Sequence, residues 1–267
     1  MWRACVAVAT ILVVPAVPAA AQACIDSAGG IVNGLYRQIL EREPDSTSSG
    51  LVQLVASGRL TVRQAVAELA RSPEHRARLW EPIVESTFRQ VRNAAPEREH
   101  MQSVARSIAE GRQTLDDVAV AFAAEEVQSQ NPDTAVIVMY RRLLGRDPTE
   151  ADVAHFKERL QREGPQAIAT TLVTSPEYRE RFGRNAVPSQ GTSPYEQSVR
   201  TLYRHLLGRD ADPQGLAQFT QVVSESGFDR AIDQIIASAE YREKYGEQGV
   251  PGSTMRSCGA PVGTTGR

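Results

Sequence analysis

The chain has 267 residues, with 30 Lys and Arg against 32 Asp and Glu and a formal net charge of -2 at pH 7. This balance gives no basic surplus to attract nucleic acid or an anionic membrane, so neither is predicted as a partner. Aromatic residues make up only 6% of the chain, and Ala, Leu, Val, Arg and Glu are frequent, so the composition favours helices around an aliphatic core over a sheet.

The chain begins with a segment typical of a secretory signal. Arg3 precedes an apolar run from residue 4 to residue 17, and small residues follow at 19–21. The run is shorter than the roughly 20 apolar residues of a membrane-spanning helix, so we interpret residues 1–23 as a signal peptide that is removed. We expect an exported protein (periplasmic, cell-surface or secreted) with no transmembrane anchor after cleavage. Cleavage after Ala23 would leave Cys24 first, which makes lipid anchoring through Cys24 an alternative.

Two cysteines remain near the ends of the mature chain once Cys5 has left with the signal. In an oxidising compartment, a disulfide between Cys24 and Cys258 is one interpretation. Two free thiols, an intermolecular bridge and a lipidated Cys24 are the alternatives.

A helical unit of roughly fifty residues recurs along the mature chain. A segment that starts with Tyr-Arg and ends with a second Arg and an acid lies at residues 36–43, 140–147 and 203–210. Ser-Pro-Glu, or Ser-Ala-Glu in the last copy, begins 35 or 36 residues after each tyrosine. A fourth, degenerate copy begins at Phe88, 52 residues from both Tyr36 and Tyr140, and has lost both signals. Because two separate signals recur at matched spacing, we predict tandem repeats.

These signals predict a division of the chain into seven segments. They are a signal peptide at 1–23, helical repeat 1 at 24–82, degenerate repeat 2 at 83–131, repeat 3 at 132–184, a linker at 185–194, repeat 4 at 195–246 and a disordered tail at 247–267. The linker and the tail are assigned from their Ser, Pro and Gly content. We expect the repeats to pack as two pairs divided at the linker, near Gly191, rather than as a single row.

Each unit is predicted to be helical, as the last one illustrates. Its first helix carries an apolar stripe within residues 202–207, and Gly208 ends that helix by adopting the left-handed conformation. A second helix is expected to run to Gly227, and a third follows. Ser72 and Ser175 are predicted N-caps, each followed by a proline at the first helical position. The predicted fold class is therefore all-α, a tandem array of helical units after a signal peptide.

Nine recurring residues form a predicted structural signature. The tyrosines are expected to bury their rings and to hydrogen-bond through their hydroxyls. Each second arginine is expected to pair with the glutamate of its unit, because arginine can engage a carboxylate through two parallel hydrogen bonds. The alternative is that both groups are solvated, in which case a pair contributes only about 0–1 kcal/mol. The nine residues are Tyr36, Arg42, Glu74, Tyr140, Arg146, Glu177, Tyr203, Arg209 and Glu240.

The two signals resemble a known bacterial family. The Tyr-Arg-x-x-Leu-Gly-Arg-Asp and Ser-Pro-Glu-Tyr patterns resemble the bacterial domain of unknown function 4214, which is itself similar to the helical linker domain of phycobilisome rods. The resemblance covers residues 30–80 and 135–246 well and residues 84–130 poorly. It implies an all-α module that occurs, often repeated, in exported and surface proteins, with no known activity. Phycobilisome linkers bind pigment proteins in the cytoplasm, so with a signal peptide we expect the fold to carry over and not that partner.

No catalytic, metal or cofactor site is predicted. The four histidines, at positions 75, 100, 155 and 205, never form a metal-like i, i+3 or i, i+4 pair. The segment from Asp210 to Gly215 is similar to the start of a calcium loop, but Gln221 stands where such a loop needs a bidentate glutamate. Adjacent acids such as Glu125 and Glu126 point in different directions on a helix, so we interpret them as a solvated face and not as the acid and base of glycan cleavage.

We therefore predict a non-catalytic structural or binding module of the cell envelope or medium, whose partner is a protein or glycan of the envelope. Stacked helical repeats commonly bind through extended surfaces. The candidate contact face is a set of arginines beside the Ser-Pro-Glu helices: Arg71, Arg76, Arg78, Arg179, Arg181 and Arg184. The alternative is that they only keep the protein soluble. A second hypothesis is a hydrolase of cell-wall or extracellular polysaccharide with acids from different units.

Overall fold

In a computed structural model, residues 19–182 and 193–245 are described, with side chains from residue 26 to residue 180 and from residue 193 to residue 245. All regular elements in these two ranges are helical, which confirms the predicted all-α class. The helices are α1 (Ala19–Ile39), α2 (Ser48–Ala56), α3 (Val62–Arg71), α4 (Pro73–Arg92), α5 (Arg98–Ala109), α6 (Leu115–Glu126), α7 (Pro132–Met139), α8 (Glu150–Glu163), α9 (Pro165–Val173), α10 (Pro176–Phe182), α11 (Pro194–Leu207), α12 (Pro213–Ser226), α13 (Phe228–Ala237) and α14 (Ala239–Tyr245). A π-helical turn, Tyr140–Leu144, continues α7. None of the described helices is long and apolar enough to cross a bilayer.

Several predictions fall outside the described residues. The predicted signal peptide lies there except for residues 19–23, which form the start of α1. Residues 185–192 of the predicted linker and the predicted tail at 247–267 lie there too. So does Cys258, and the side chain of Cys24 is not described. The disulfide between these two cysteines therefore stays a prediction.

The helices begin where local chemistry satisfies their first backbone N–H groups. Thr61, Thr114 and Thr149 each form a capping box. The threonine hydroxyl accepts the backbone N–H of the residue three positions later, and the side chain of that residue accepts the backbone N–H of the threonine. Ser72, a predicted N-cap, accepts the backbone N–H three residues on at 3.2 Å, and Ser175 does the same at 3.1 Å. Both serines precede a proline at the first helical position, so these two predictions are confirmed.

The first helix of each unit ends at a left-handed residue five positions after Tyr36, Phe88, Tyr140 or Tyr203. The φ angle is 64° at Gly208, as predicted, and 65° at Gly145. The equivalent residues are Glu41, with φ of 48°, and Asn93, with φ of 54°. Glycine adopts this conformation freely, whereas a residue with a Cβ loses about 1–2 kcal/mol there, and asparagine tolerates it best of the others. Glu41 is therefore the strained member of the set.

The buried apolar side chains form two clusters. Core 1 is built by α1, α2, α3, the first half of α4 and α11 to α14. Core 2 is built by the second half of α4 together with α5 to α10. This arrangement differs from the predicted pairing on either side of the linker. The first predicted repeat shares its core with the fourth, and the second shares its core with the third.

The long helix α4 gives the physical reason for this arrangement. Its 20 residues extend for about 30 Å, so Leu79 reaches core 1 while Phe88 reaches core 2. The predicted boundary between repeats 1 and 2 lies inside α4, because Pro82 removes only one backbone donor and the helix continues past it. After the helices of core 2, the chain packs back against α4 through α11. At this contact the Ser198 hydroxyl on α11 donates to the Leu79 carbonyl on α4 at 2.6 Å.

Candidate functional site

The predicted signature residues meet at equivalent junctions in the first, third and fourth units. In each junction the arginine Nε and one terminal nitrogen donate to the two carboxylate oxygens of the glutamate. The pairs are Arg42–Glu74 at 2.7 and 2.9 Å, Arg146–Glu177 at 2.6 and 3.0 Å, and Arg209–Glu240, whose second bond is 2.7 Å. The predicted contact is therefore present in all three junctions, and its side chains are about one third to two fifths exposed.

Each of these arginines also lies over the tyrosine ring that opens its unit. The distances from the guanidinium carbon to the ring centroid are 5.1 Å for Arg42 over Tyr36, 5.0 Å for Arg146 over Tyr140 and 5.2 Å for Arg209 over Tyr203. All three rings are buried. Burial, assisted by the Asp152 carboxylate, raises the pKa of Tyr140 to about 12. A ring held between a guanidinium and an apolar core is a packing element and not a ligand site.

The degenerate second unit keeps this junction in an altered form that the sequence analysis missed. Arg92 donates to Glu125 at 2.9 Å, and its guanidinium carbon lies 5.3 Å from the centroid of the Phe88 ring. Glu125 follows Phe88 by 37 residues, as Glu177 follows Tyr140, and this spacing was the available signal. The arginine stands two positions earlier than in the other units, so a search at fixed spacing does not find it.

Arg146→Ala is expected to lower the melting temperature by about 2–4 °C, because a half-exposed bidentate pair contributes at most about 1 kcal/mol in a chain of this size. The measurement is thermal unfolding followed by far-UV circular dichroism. Arg179→Ala is the matched control, since Arg179 is exposed and has no ion-pair partner within the described residues. Equal melting temperatures for the two variants would show that the Arg146–Glu177 pair does not stabilise the unit.

Three of the six arginines considered as a contact face are instead engaged within the protein. Of the others, Arg179 is exposed, and the side chains of Arg181 and Arg184 lie outside the described residues. Arg71 and Arg76 pair with Asp233 and Asp229 of α13. Arg78 contacts the end of α1, where it pairs with a carboxylate and donates to a backbone carbonyl. These three side chains therefore tie the first unit together and join it to the fourth, and they do not form a free binding surface.

A polar groove of about 880 Å³ lies between α4, α5 and α11. Its walls carry charged side chains of both signs, among them Glu81 on α4 and Arg98 and Arg106 on α5. Within the described residues, none of these three side chains has an ion-pair partner. Burial raises the pKa of Glu81, and the positive charges of Arg78 and Arg98, which act in the opposite direction, do not fully offset the loss of water. The groove thus offers unpaired charge of both signs to a ligand.

Two buried histidines join the helices at one end of this groove. His75 Nδ1 lies 2.7 Å from the Ala70 carbonyl oxygen, and its Nε2 lies 2.9 Å from Nδ1 of His205. His205 Nε2 in turn lies 3.2 Å from a carboxylate oxygen of Glu41. Burial lowers the pKa of His75 to about 4 and also lowers the pKa of His205. In the sequence these histidines were candidates only as metal ligands, and no pattern predicts that they meet.

The segment compared with a calcium loop has a structural role in the fold. Asp212 is the N-cap of α12, and its side chain accepts the backbone N–H of Gly215 at 2.8 Å. Across residues 19–182 and 193–245, no group of three or more His, Cys, Asp or Glu side chains is arranged to hold a metal ion.

Comparisons with known proteins give relatives for most of the chain. A family model described as phycobilisome linker polypeptide matches residues 82–191 and again residues 192–254. The phycocyanin-associated 32.1 kDa linker polypeptide (rod 2) of Synechocystis sp. is 28% identical over 128 residues, which is 45% of this chain and 43% of that protein. The phycobiliprotein ApcE of Nostoc sp. is 32% identical over 83 residues, 30% of this chain and 6% of that protein. The phycocyanin-associated 37.5 kDa rod linker of Microchaete diplosiphon is 32% identical over 81 residues, 30% of this chain and 28% of that protein. The chain thus covers less than half the length of these relatives.

The predicted localisation is contradicted by these relatives. They are linker polypeptides and phycobiliproteins of the phycobilisome, which is a cytoplasmic assembly, whereas the sequence analysis predicted a periplasmic, cell-surface or secreted protein. The prediction of export is therefore wrong, and the envelope glycan and envelope protein inferred as partners have no support. The error came from giving an N-terminal apolar run more weight than the family resemblance carried by the repeats.

Proposed function

The chain belongs to the phycobilisome linker polypeptide family, and from this membership we propose that it is a non-catalytic linker module that holds a partner protein in the groove between α4, α5 and α11. The observation that carries the proposal is the unpaired charge of Glu81, Arg98 and Arg106 in a concave site built by two separate parts of the chain. The relatives are named as linkers or phycobiliproteins, and none is named as a hydrolase.

The charges of the groove specify the chemistry of the partner. Glu81 is partly buried, and a partner Lys or Arg in direct contact with it would compensate for the loss of water better than Arg78 and Arg98 do. Arg98 and Arg106 are two turns apart on α5, about 12 Å along the helix, and both are exposed. They suit two carboxylates at that separation. We therefore infer a protein segment with acidic residues flanking a basic one.

We also retain as a proposal the division into four units and their likeness to the bacterial domain of unknown function 4214. The support is the recurrence of the left-handed helix end at Glu41, Asn93, Gly145 and Gly208. These residues lie five positions after Tyr36, Phe88, Tyr140 and Tyr203, respectively. The Arg–Glu contact recurs in all four units, with Arg92 and Glu125 in the degenerate one.

The double variant Arg98→Glu, Arg106→Glu is expected to weaken partner binding at least about tenfold, because a like-charge contact replaces an attraction and tenfold corresponds to about 1.4 kcal/mol. Phycocyanin is the first partner to test, since two relatives are named as phycocyanin-associated. The measurement is isothermal titration calorimetry of purified phycocyanin into the full chain, at low and at physiological salt.

Arg179→Glu is the control, because it makes the same type of substitution, at one position instead of two, on α10 and away from the groove. If wild type binds and only the groove variant is impaired, both the partner and the site are supported. Equal affinity of all three proteins for phycocyanin would exclude the groove as the site. No heat with wild-type protein would exclude phycocyanin as the partner.

A further inference from the structure

Three residues that depart from the repeat pattern meet at one point between α1, α4 and α11. Glu41 stands where the third and fourth units have glycine, and His75 stands where they have tyrosine. His205 stands where the first unit has Gln38. They come from different positions of two different units, yet they form one continuous chain of contacts from the Ala70 carbonyl to the Glu41 carboxylate. Glu41 also keeps a left-handed backbone that glycine would adopt without strain.

This chain of three contacts needs three protons on the two rings. His75 Nδ1 faces a carbonyl, which can only accept, so this nitrogen carries a proton and His75 Nε2 is an acceptor. His205 Nδ1 must then donate to it. If His205 is neutral, its Nε2 is a lone pair that faces an ionised carboxylate, and the third contact is repulsive. The third hydrogen bond forms only when His205 takes up a second proton.

Burial decides which contact is lost when that proton leaves. His75 is 0% exposed. If neither His75 Nε2 nor His205 Nδ1 carried a proton, two buried acceptors would face each other without a hydrogen bond, which would destabilise the fold. The Glu41 side chain is 60% exposed and can turn to water. Neutral His205 therefore keeps its proton on Nδ1 and its bond to His75, and the Glu41 contact is the one that opens.

We propose that Glu41, His205 and His75 form a proton-operated clasp in the wall of the groove, closed when His205 is doubly protonated and open when it is neutral. The other charged groups that face His205 are Arg78 on α4, which also pairs with Glu41, and Arg204 on its own helix. The side-chain amide of Gln38 donates both to the backbone carbonyl of His205 and to the hydroxyl of Tyr245 on α14. Lys244, also on α14, donates to the neighbouring carbonyl of Leu207.

The clasp controls one charge of the groove. Glu41 and His205 both line it. When the clasp is closed, an imidazolium lies beside the Glu41 carboxylate, which also pairs with Arg78. When the clasp is open, that positive charge is lost and the carboxylate keeps only its pair with Arg78. A partner would thus meet a more acidic wall as the pH rises. Only this last consequence rests on the proposed function, because the clasp itself exists in the free protein.

The test is the titration of the ring nitrogens in uniformly ¹⁵N-labelled full-length protein by NMR, from about pH 4.5 to about pH 8.5. In the wild type we expect His75 to stay neutral with its proton on Nδ1, and His205 to keep the Nδ1 proton and to gain the Nε2 proton as the pH falls. In Glu41→Gln the pKa of His205 should fall by about 1 pH unit, because the neighbouring carboxylate no longer stabilises the imidazolium.

Two further variants separate charge from backbone effects. Glu41→Gly, which restores the residue of the other units and removes the left-handed strain, should shift His205 as Glu41→Gln does. Glu43→Gln removes an exposed charge that pairs with Arg37 and should leave the titration unchanged. An identical His205 titration in wild type and Glu41→Gln overturns the proposal, and so does a neutral His205 with its proton on Nε2. Since no partner is present, a failure of phycocyanin binding leaves this test unaffected.

Discussion

Leu206→Ala is expected to lower the free energy of unfolding by about 2–5 kcal/mol and to loosen the first unit, at the other end of the chain. Leu206 on α11 is 1% exposed and lies in core 1 with the side chains of α1 and α3. Removing a fully buried leucine side chain leaves a cavity in addition to the lost hydrophobic burial, which gives this magnitude. Because core 1 unites the first and last units, the cavity is shared between them.

Leu143→Ala is the matched control for this effect. Leu143 holds the same position of the third unit, three residues after its tyrosine, and is 0% exposed in core 2. We expect a similar loss of stability. Native-state hydrogen exchange distinguishes the two variants, since Leu206→Ala should speed exchange in α1 and α3, and Leu143→Ala in α6 and α9. Faster exchange in α6 and α9 for Leu206→Ala would mean that the last unit packs on the third and that the described arrangement is incorrect.

Acidification is expected to destabilise the protein by about 3 kcal/mol through His75 alone. Burial lowers the folded-state pKa of His75 to about 4, whereas an unfolded histidine titrates near 6.5. Between these two values the unfolded chain binds more protons than the folded chain. The contribution is therefore fully present above about pH 6.5 and is lost as the pH falls towards 4. The lowered pKa of His205 acts in the same direction.

The measurement is urea unfolding of wild type and His75→Gln at several values from about pH 7 to about pH 4.5. Glutamine is uncharged throughout and can still form hydrogen bonds, so its pH dependence should be clearly shallower than that of the wild type. Carboxylates contribute to acid unfolding in both proteins, and the difference between them isolates the histidine. Parallel curves for the two proteins would show that His75 is not held neutral by burial.

The sequence predicts the local structure well because helix ends depend on residues close together in the chain. Ser72 and Ser175 were identified as N-caps and Gly208 as a helix end, since each needs only its own turn of helix to satisfy the backbone. The contact between Arg146 and Glu177 could also be predicted, because a repeated spacing fixes their separation in every unit. The contact of Arg92 with Glu125 in the degenerate unit was not predicted, because Arg92 stands two positions earlier than the arginines of the other units.

The contact between His75 and His205 could not be predicted from the sequence. His75 and His205 are far apart in sequence, and nothing in the spacing of either one indicates the other. They meet because α11, which follows the helices of core 2 in the chain, packs back against α4. Their buried contact and their lowered pKa values are consequences of that return.

The sequence alone determined that this protein is an all-α array of helical units, because amphipathic periodicity, caps and turn residues act within a single unit. Only the tertiary structure decided which units share a core. The proposed four units each carry an apolar face that could pack on any of the others, and the choice depends on the length and continuity of α4. That choice joins the first unit to the last and builds the groove, and it brings the two histidines together.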